Sequence, residues 1–256
     1  MKHLIISDCQ IKPGQDLTYL NWIGQYIVEK KPDRVICIGD FADMPSLSSY
    51  DIGKKTFEGR RYKDDIFAAK AGMISLLRPM LNFNQRAKQN KEKQYRPSMD
   101  FFMGNHEERI ERAVNSDPKL EGVLSTDDLE YKKFGWNVHP YLDVAVLDGV
   151  AYSHFFTSGI MGRPVSSAAM LLAKKHQSCV MGHVQDRQIA YARRADGRAM
   201  TAIFSGLSHP YEEDYLGPQG NNSWRGIWML HEVNDGSFDE MPVSLSYLRK
   251  KYGQNV

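Results

Sequence analysis

Five short apolar runs in this chain each end in a polar residue of a type that binds metal ions or transfers protons. The runs are rich in β-branched and aromatic residues, a pattern that predicts buried β-strands. In open α/β sheets, ligands bind beyond the carboxyl ends of the strands, so these polar side chains are expected to converge on one edge. The runs and their terminal residues are 4–7 with Asp8, 35–38 with Asp40, 101–103 with Asn105 and His106, 150–153 with His154, and 179–181 with His183.

The stretches between these runs are amphipathic and predict helices. In the two longest, apolar residues recur at a spacing of about 3.6, which places them on one helix face. Pro32 is expected to stop the first helix, and Pro79 to kink or end the second. The predicted helices cover residues 17–30, 66–83, 107–114 and 166–175.

The last third of the chain has more strand-like segments. Asp-Gly sequences at 195–197 and 234–236 favour hairpin turns. No internal repeat or linker separates this part from the rest, so we predict one α/β domain over residues 1–256. The additional predicted strands are 188–193, 198–204 and 227–233.

The charge balance argues against binding driven by overall charge. The chain has 33 Lys and Arg against 31 Asp and Glu, a formal net charge of +2, unlike histone-like proteins. Its three cysteines form no Cys-x-x-Cys pair, which argues against a cysteine zinc site. No window approaches the roughly 18 apolar residues of a membrane span. The apolar stretch before Asp8 is too short for a signal peptide, so a cytoplasmic location is expected.

The order of the polar motifs resembles that of the calcineurin-like metallophosphoesterase superfamily. Members of that family show Asp-x-His, Gly-Asp-x-x-Asp, Gly-Asn-His-Glu, a lone His and Gly-His-x-His in this order. The tracts GNHEERIER, SLSSY and NSWRGIW are most similar to phage-encoded members. The matching segments are Asp8-Cys9-Gln10, Gly39-Asp40-Phe41-Ala42-Asp43, Gly104-Asn105-His106-Glu107, His154 and Gly182-His183-Val184-Gln185.

The resemblance implies a four-layer αββα sandwich that holds two metal ions at the strand ends. His106 would bind no metal but would lie beside the scissile phosphate, oriented by Glu107 or Asp43. Such a metal pair activates a water for in-line attack, while the histidine assists the leaving alkoxide. The implied ligands are Asp8, Gln10 and Gln185 for the first ion, Asn105, His154 and His183 for the second, and Asp40 for both.

Two positions depart from the family pattern. Gln10 and Gln185 stand where the family has His, and both would serve the first ion. Gln offers a hard amide oxygen, and a site of two carboxylates and two amide oxygens favours Mn²⁺ or Mg²⁺ over Zn²⁺. We therefore expect two divalent ions, with Mn²⁺ first and Mg²⁺, Fe²⁺ or Zn²⁺ as alternatives. The competing interpretation is that the first site is empty or filled only transiently.

Arginines near the motifs are candidate substrate ligands. The tract 54–63 has five cations, among them Arg60 and Arg61, interleaved with two aromatic residues. That combination suits a nucleic acid or nucleotide at the rim of the site. Arg163, in the loop after His154, could clamp a phosphate oxygen bidentately. The alternatives are a solvated charged face for the tract and an exposed arginine without a ligand for Arg163.

These observations predict a two-metal phosphodiesterase or nuclease, acting in the host cytoplasm if it is phage-encoded. A phosphomonoesterase acting on phosphoproteins or metabolites is the first alternative, because His106 suits either leaving group. A non-catalytic module that binds metal or nucleic acid is the second, with Gln10 and Gln185 reflecting lost chemistry. The intact His106 argues against that module, since it has no ligand role to preserve.

Overall fold

The computed structural model describes residues 1–213 and 217–253 and has the predicted α/β architecture. Within those residues, eleven strands form two mixed sheets, and six α-helices accompany them. None of these helices is long and apolar enough to cross a bilayer. The strands are β1 His3–Ile6, β2 Arg34–Cys37, β3 Ser98–Phe102, β4 Asn137–His139, β5 Ala145–Leu147, β6 Val150–Ser153, β7 Cys179–Met181, β8 Arg187–Arg193, β9 Ala199–Ser205, β10 Gly226–Asn234 and β11 Ser237–Ser244. The helices are α1 Thr18–Lys30, α2 Tyr62–Gln89, α3 Arg109–Ser116, α4 Ala168–Lys175, α5 Gly217–Asn221 and α6 Leu245–Tyr252.

The first sheet brings three of the motif-bearing strand ends to one edge. Its order is β11-β10-β1-β2-β3-β4, with β1 to β4 parallel and β10 antiparallel to β1. In this register Ile6 lies opposite Cys37, and Cys37 lies opposite Phe101. The three segments that follow these strands therefore leave the sheet side by side.

The second sheet supplies the other two motifs. Its order is β5-β6-β7-β9-β8, in which β6, β7 and β9 are parallel. Ser153 lies opposite Met181, and Met181 lies opposite Phe204. Because β6 and β7 are adjacent and end at the same level, His154 and His183 leave the sheet next to each other.

The two sheets pack face to face through a shared apolar core. Ile5 of β1 lies in this core with Val180 and Ile203 of the second sheet. Leu4 and Ile6 point the other way, into the core that α1, α2 and α6 build on the first sheet. Helix α4 covers the outer face of the second sheet. Each fully buried large apolar side chain contributes about 1.5–3 kcal/mol, so this packing fixes the two motif-bearing edges relative to each other.

Helix α2 runs from Tyr62 to Gln89, longer than the predicted 66–83, and of the two effects predicted for Pro79, a kink or an end, the end is wrong. A proline inside a helix removes one backbone hydrogen bond and costs about 3 kcal/mol. Helix α1 packs tightly at this point, since a Cβ on Gly24 would lie 2.2 Å from Leu76 O and 2.9 Å from Pro79 Cγ. Tertiary packing along α1 therefore outweighs the local cost of the proline.

Candidate metal and catalytic site

Four side chains from four strand ends converge where the two sheets meet. Ligand atoms of Asp40, His154 and His183 all lie within 4.8 Å of one another. Asn105 joins them, with its Oδ1 2.9 Å from His154 Nε2 and 2.7 Å from His183 Nδ1. Two imidazole nitrogens, one carboxylate and one amide oxygen form a donor set that could hold a divalent metal ion.

His154 is held in the tautomer that a metal ligand requires. Its ring is fully buried, and Nδ1 donates a hydrogen bond to Ile38 O at 2.7 Å. Burial lowers the pKa of His154, and burial together with His154 lowers the pKa of His183 to about 4. Both rings are therefore neutral at neutral pH, and His154 Nε2 turns a lone pair toward Asn105 Oδ1. Two acceptors that face each other in this way favour a cation beside them.

Asp8 and Gln10 border this cluster from the end of β1. Asp8 is fully buried, and its Oδ2 accepts hydrogen bonds from Ser7 Oγ and from His183 N. Within the described part of the chain, Asp8 Oδ1 and the Gln10 side-chain nitrogen have no hydrogen-bond partner although both are buried. Burial and the charge of Asp40 raise the pKa of Asp8 well above its usual range. A buried carboxylate pair with an unpartnered oxygen fits a cation site.

The backbone around these ligands is tied together and strained. Asp8 N donates to Gly39 O at 3.1 Å, and Gln10 N donates to Asp40 O at 2.8 Å. Asp8, Gln10, Asp40 and His183 have positive φ angles of 47°, 45°, 49° and 62°. Such conformations cost non-glycine residues on the order of 1–3 kcal/mol each and cluster at functional sites. Four of the residues that match the motifs therefore have strained backbone conformations.

Glycine is required before two of the candidate ligands, because atoms of neighbouring strand ends approach its Cα closely. A Cβ on Gly104 would lie 2.2 Å from both Asp40 N and Asp40 Oδ1. A Cβ on Gly39, whose φ is +86°, would lie 2.7 Å from His154 Nδ1. Each of these glycines therefore makes room for a ligand that belongs to a neighbouring strand end.

His106 lies beside the cluster and is oriented by Asp43. Its Nδ1 is 2.7 Å from Asp43 Oδ1, and its Nε2 is 3.7 Å from Asp40 Oδ2. Burial opposes protonation of the ring, but the charge of Asp40 and the hydrogen bond to Asp43 outweigh it and raise the pKa of His106 to about 9. The ring is therefore a potential proton donor at neutral pH.

Glu107 lies on the backbone of the motif loops and does not orient the ring of His106. In the described residues the orienting contact is made by Asp43, whereas Glu107 is fully buried and binds backbone. Glu107 thereby ties the loop of the second motif to that of the third. Its carboxylate accepts hydrogen bonds from the N–H groups of Asp40, Ala42 and Gly104, at 3.0, 2.8 and 2.9 Å.

Arg109 is a site residue that none of the motifs indicates. It is the first residue of α3, and 12% of its side chain is exposed. Its guanidinium donates to Asp43 O at 2.7 Å and lies 3.4 Å from His106 Nε2. The available sequence signal is a cation three residues after His106, a spacing that a single turn of the backbone brings together, as the hydrogen bond from Arg109 N to His106 O at 3.1 Å does here.

The three arginines predicted to bind substrate lie outside the ligand cluster. Arg60 pairs with Asp51 at 2.8 Å and donates to Pro45 O at 3.0 Å. Arg61 donates to the carbonyl of Arg60, and Arg163 is exposed in the loop between β6 and α4. Over residues 1–213 and 217–253, none of the three forms a hydrogen bond or ion pair with a metal-ligand candidate.

Two further residues lie near this edge. Gln185 is half-buried in the turn from β7 to β8, two residues beyond His183. His209, which matches no family motif, is buried, and its Nδ1 accepts hydrogen bonds from Tyr211 N and from Arg225, both at 3.2 Å. Its proton is therefore on Nε2, which is buried without a hydrogen-bond partner among the described residues.

Comparisons with known proteins add a phage relative. No family model matches the chain. The chain is 25% identical to the Gene 54 protein of Mycobacterium phage L5 over 193 residues, which cover 73% of this chain and 69% of that protein. One solved crystal structure aligns over 95% of this chain and 99% of its own chain, with a TM-score of 0.42 and 12% sequence identity. These values are too low to support a conclusion about fold or function.

Proposed function

We propose that this protein is a phage-encoded, two-metal phosphoesterase with the calcineurin-like αββα fold. Its proposed substrates are phosphodiesters of nucleic acids or nucleotides in the host cytoplasm. The three apolar cores lie between four successive layers. These layers are helices α1, α2 and α6, the first sheet, the second sheet and helix α4, and their order supports the fold assignment. The similarity to a protein of Mycobacterium phage L5 supports the phage origin.

The observation that carries the proposal is the His106–Asp43 pair beside the ligand cluster. His106 Nε2 lies 3.7 Å from Asp40 Oδ2, close to the metal-ligand candidates, while Asp43 holds the opposite ring nitrogen. A histidine that only packed in the core would have no need of this arrangement, and a histidine that bound metal would have to be neutral, whereas Asp40 and Asp43 favour the protonated ring of His106. An acid held at a metal centre by a carboxylate is the arrangement that general acid catalysis of ester cleavage requires.

Two divalent ions fit the donors at the strand ends. The unpartnered Asp8 Oδ1 and the buried Gln10 amide support the first site, and the neutral imidazoles of His154 and His183 support the second. The oxygen-rich first site favours Mn²⁺. Bound ions of this kind supply an activated water and neutralise phosphate charge. The proposed donors are Asp8, Gln10, Asp40 and Gln185 for one ion, and Asp40, Asn105, His154 and His183 for the other.

The chain's own residues would perform the remaining steps. His106 donates a proton from Nε2 to the leaving alkoxide, and Asp43 keeps the ring oriented for that transfer. Arg109, whose guanidinium lies 3.4 Å from His106 Nε2, binds the phosphate oxygens and offsets their charge. Glu107 holds the backbone of Asp40 in place.

A phosphomonoesterase is the second candidate, because one observation weakens the case for a nucleic-acid diester. Asp51 pairs with both Lys54, at 2.7 Å, and Arg60, at 2.8 Å. The basic tract 54–63 therefore carries less free positive charge than its sequence indicates, which weakens the argument for a long nucleic-acid substrate.

The test compares bis-p-nitrophenyl phosphate, a diester, with p-nitrophenyl phosphate, a monoester, in the presence of Mn²⁺. We expect preferential cleavage of the diester and a loss of about a hundredfold or more in His106→Ala, with metal content retained. The matched control is His176→Asn, a change at an exposed histidine outside the site, which should retain full activity.

The other outcomes each identify another function. A preference for the monoester would support the phosphatase. If neither ester is turned over by the wild-type protein or by His106→Ala although metal is bound, catalysis would be contradicted. This result would support a non-catalytic binding module.

A further inference from the structure

A cavity of about 600 Å³ opens beside the candidate site, bounded by α3 and by residues 126–133 and 138–141. This volume lies within the range of about 300–1,000 Å³ that is typical of sites for small organic ligands. The apolar part of its wall includes Met103, Val138 and Tyr141. The cavity is thus large enough for a planar heterocycle and offers it an aromatic surface.

Two residues that flank the third motif in the sequence line the cavity. Met103 directly precedes the Gly104–Glu107 motif, and Glu108 directly follows it, and both line the cavity. The Tyr141 ring lies 6.4 Å from the ring of His154. A group attached to a phosphate ester at the His106 site could therefore extend into this cavity.

The charges on the cavity wall indicate what it would accept. Glu130 pairs with Lys133 at 2.8 Å, and Asp127 pairs with Lys132 at 3.5 Å, so these wall charges offset one another.

Glu108, the residue before α3, and Glu111, in the first turn of α3, are three residues apart, and both line the cavity. Burial and the charge of Glu111 raise the pKa of Glu108, as expected for acidic groups close together. A wall of this kind repels phosphate but accepts hydrogen bonds from an uncharged donor.

We propose that this cavity binds the nucleobase of the substrate and favours bases with an exocyclic amino group. Tyr141 would stack on the base, and Glu108 and Glu111 would accept hydrogen bonds from its amino group. Adenine, cytosine and guanine carry such a group, and thymine and uracil do not. The inference rests on the proposed phosphodiesterase function, because it assigns the group attached to the phosphate.

The test uses three chromogenic esters. Bis-p-nitrophenyl phosphate has no base and reports the phosphodiester chemistry alone, whereas the p-nitrophenyl esters of deoxyadenosine and thymidine 5′-monophosphates add a base with and without the amino group. We expect kcat/KM for the deoxyadenosine ester to exceed that for the thymidine ester by about tenfold. In Glu111→Ala, the loss for the deoxyadenosine ester should exceed the loss for bis-p-nitrophenyl phosphate by about the same factor. Glu121→Ala, at an exposed carboxylate outside the cavity, is the matched control and should leave all three rates unchanged.

The results separate this inference from the proposed function. If bis-p-nitrophenyl phosphate is cleaved but the deoxyadenosine and thymidine esters are cleaved equally well, or Glu111→Ala lowers all three rates by the same factor, the proposed recognition of the base is wrong. If none of the esters is cleaved, the proposed function fails. Calorimetry with deoxyadenosine then tests whether the cavity binds a base. Binding that is weakened in Glu111→Ala would support it, and an absence of binding to the wild-type protein would overturn it.

Discussion

Asp43 Oδ1 lies 2.7 Å from His106 Nδ1, and this contact joins the loop after β2 to the loop after β3. Arg109, the first residue of α3, also holds the loop after β2, since it donates to Asp43 O at 2.7 Å. The imidazole therefore has a carboxylate on one nitrogen, while its other nitrogen faces Asp40 and Arg109. This position allows the ring to transfer a proton without leaving its place in the fold.

Asp43→Asn should shift the pH dependence of the reaction. Removing this charge lowers the pKa of His106, because the hydrogen bond to Asp43 and the charge of Asp43 both raise it. The protonated ring is the active form, so activity is present below that pKa and is lost as pH rises through it. We expect the alkaline limb of kcat/KM for bis-p-nitrophenyl phosphate to begin at lower pH, with a fall in kcat of about tenfold to a hundredfold.

The control for this change is Asp51→Asn. Asp51 pairs with Arg60 outside the ligand cluster, so its loss should leave the pH profile as in the wild-type protein. An alkaline limb that stays in place in Asp43→Asn would show that the carboxylate does not set the protonation of His106.

Glu107→Ala should destabilise the fold as well as the site. The change leaves the buried N–H groups of Asp40, Ala42 and Gly104 without their acceptor. Since each unsatisfied buried donor costs about 1–3 kcal/mol, we expect the free energy of unfolding to fall by about 3 kcal/mol or more. Urea denaturation measures this loss, and Glu121→Ala is the exposed control. A free energy within about 1 kcal/mol of wild type would contradict the role assigned to Glu107.

The strand ends could be predicted because their signals are local. A short β-branched run followed by a polar residue marks each end, and the parallel register then brings the ends together. Asp40, His154 and His183 are distant in the chain but adjacent in the structure for this reason. The α/β class and the position of helix α1 follow from the same local patterns.

Features that depend on tertiary packing could not be predicted in this way. Arg109 enters the site because the loop after β2 folds over the start of α3, and no local pattern encodes that contact. The sequence alone left the choice between Asp43 and Glu107 open for the same reason. Three strands, β4, β5 and β11, were not predicted. Strands β4 and β5 have only three residues each, and β11 buries only Phe238 and Val243, which are too far apart to form an apolar run.

Asp40→Ala should remove both metal ions, whereas His154→Ala should remove one. The proposed role of Asp40 is shared by the two ions, and that of His154 belongs to one of them. The measurement is metal content by mass spectrometry after equilibration with Mn²⁺ and desalting, with His176→Asn as the variant expected to keep both ions. Two ions retained in Asp40→Ala would show that the ligands are assigned wrongly. Equal and tight occupancy of both wild-type sites by Zn²⁺ would contradict the preference of the oxygen-rich site for Mn²⁺.

His209 should make the folded state sensitive to acid. Burial, followed by the charges of Arg225 and Lys12, lowers the pKa of His209 to about 3, whereas histidine in an unfolded chain has a pKa of about 6.5. The unfolded state therefore binds a proton that the folded state does not, so this stabilisation is complete above about pH 6.5 and decreases as pH falls toward the folded value.

Between about pH 7.5 and pH 5, the wild-type protein should lose about 2 kcal/mol more of its free energy of unfolding than His209→Gln does. Urea denaturation of both proteins at the two pH values measures this difference, which isolates His209 from the other groups that titrate in the same range. His176→Asn changes an exposed histidine and should lose as much stability as the wild-type protein. Equal losses in the wild-type protein and His209→Gln would mean that the buried ring takes up its proton in the folded state as readily as in the unfolded chain.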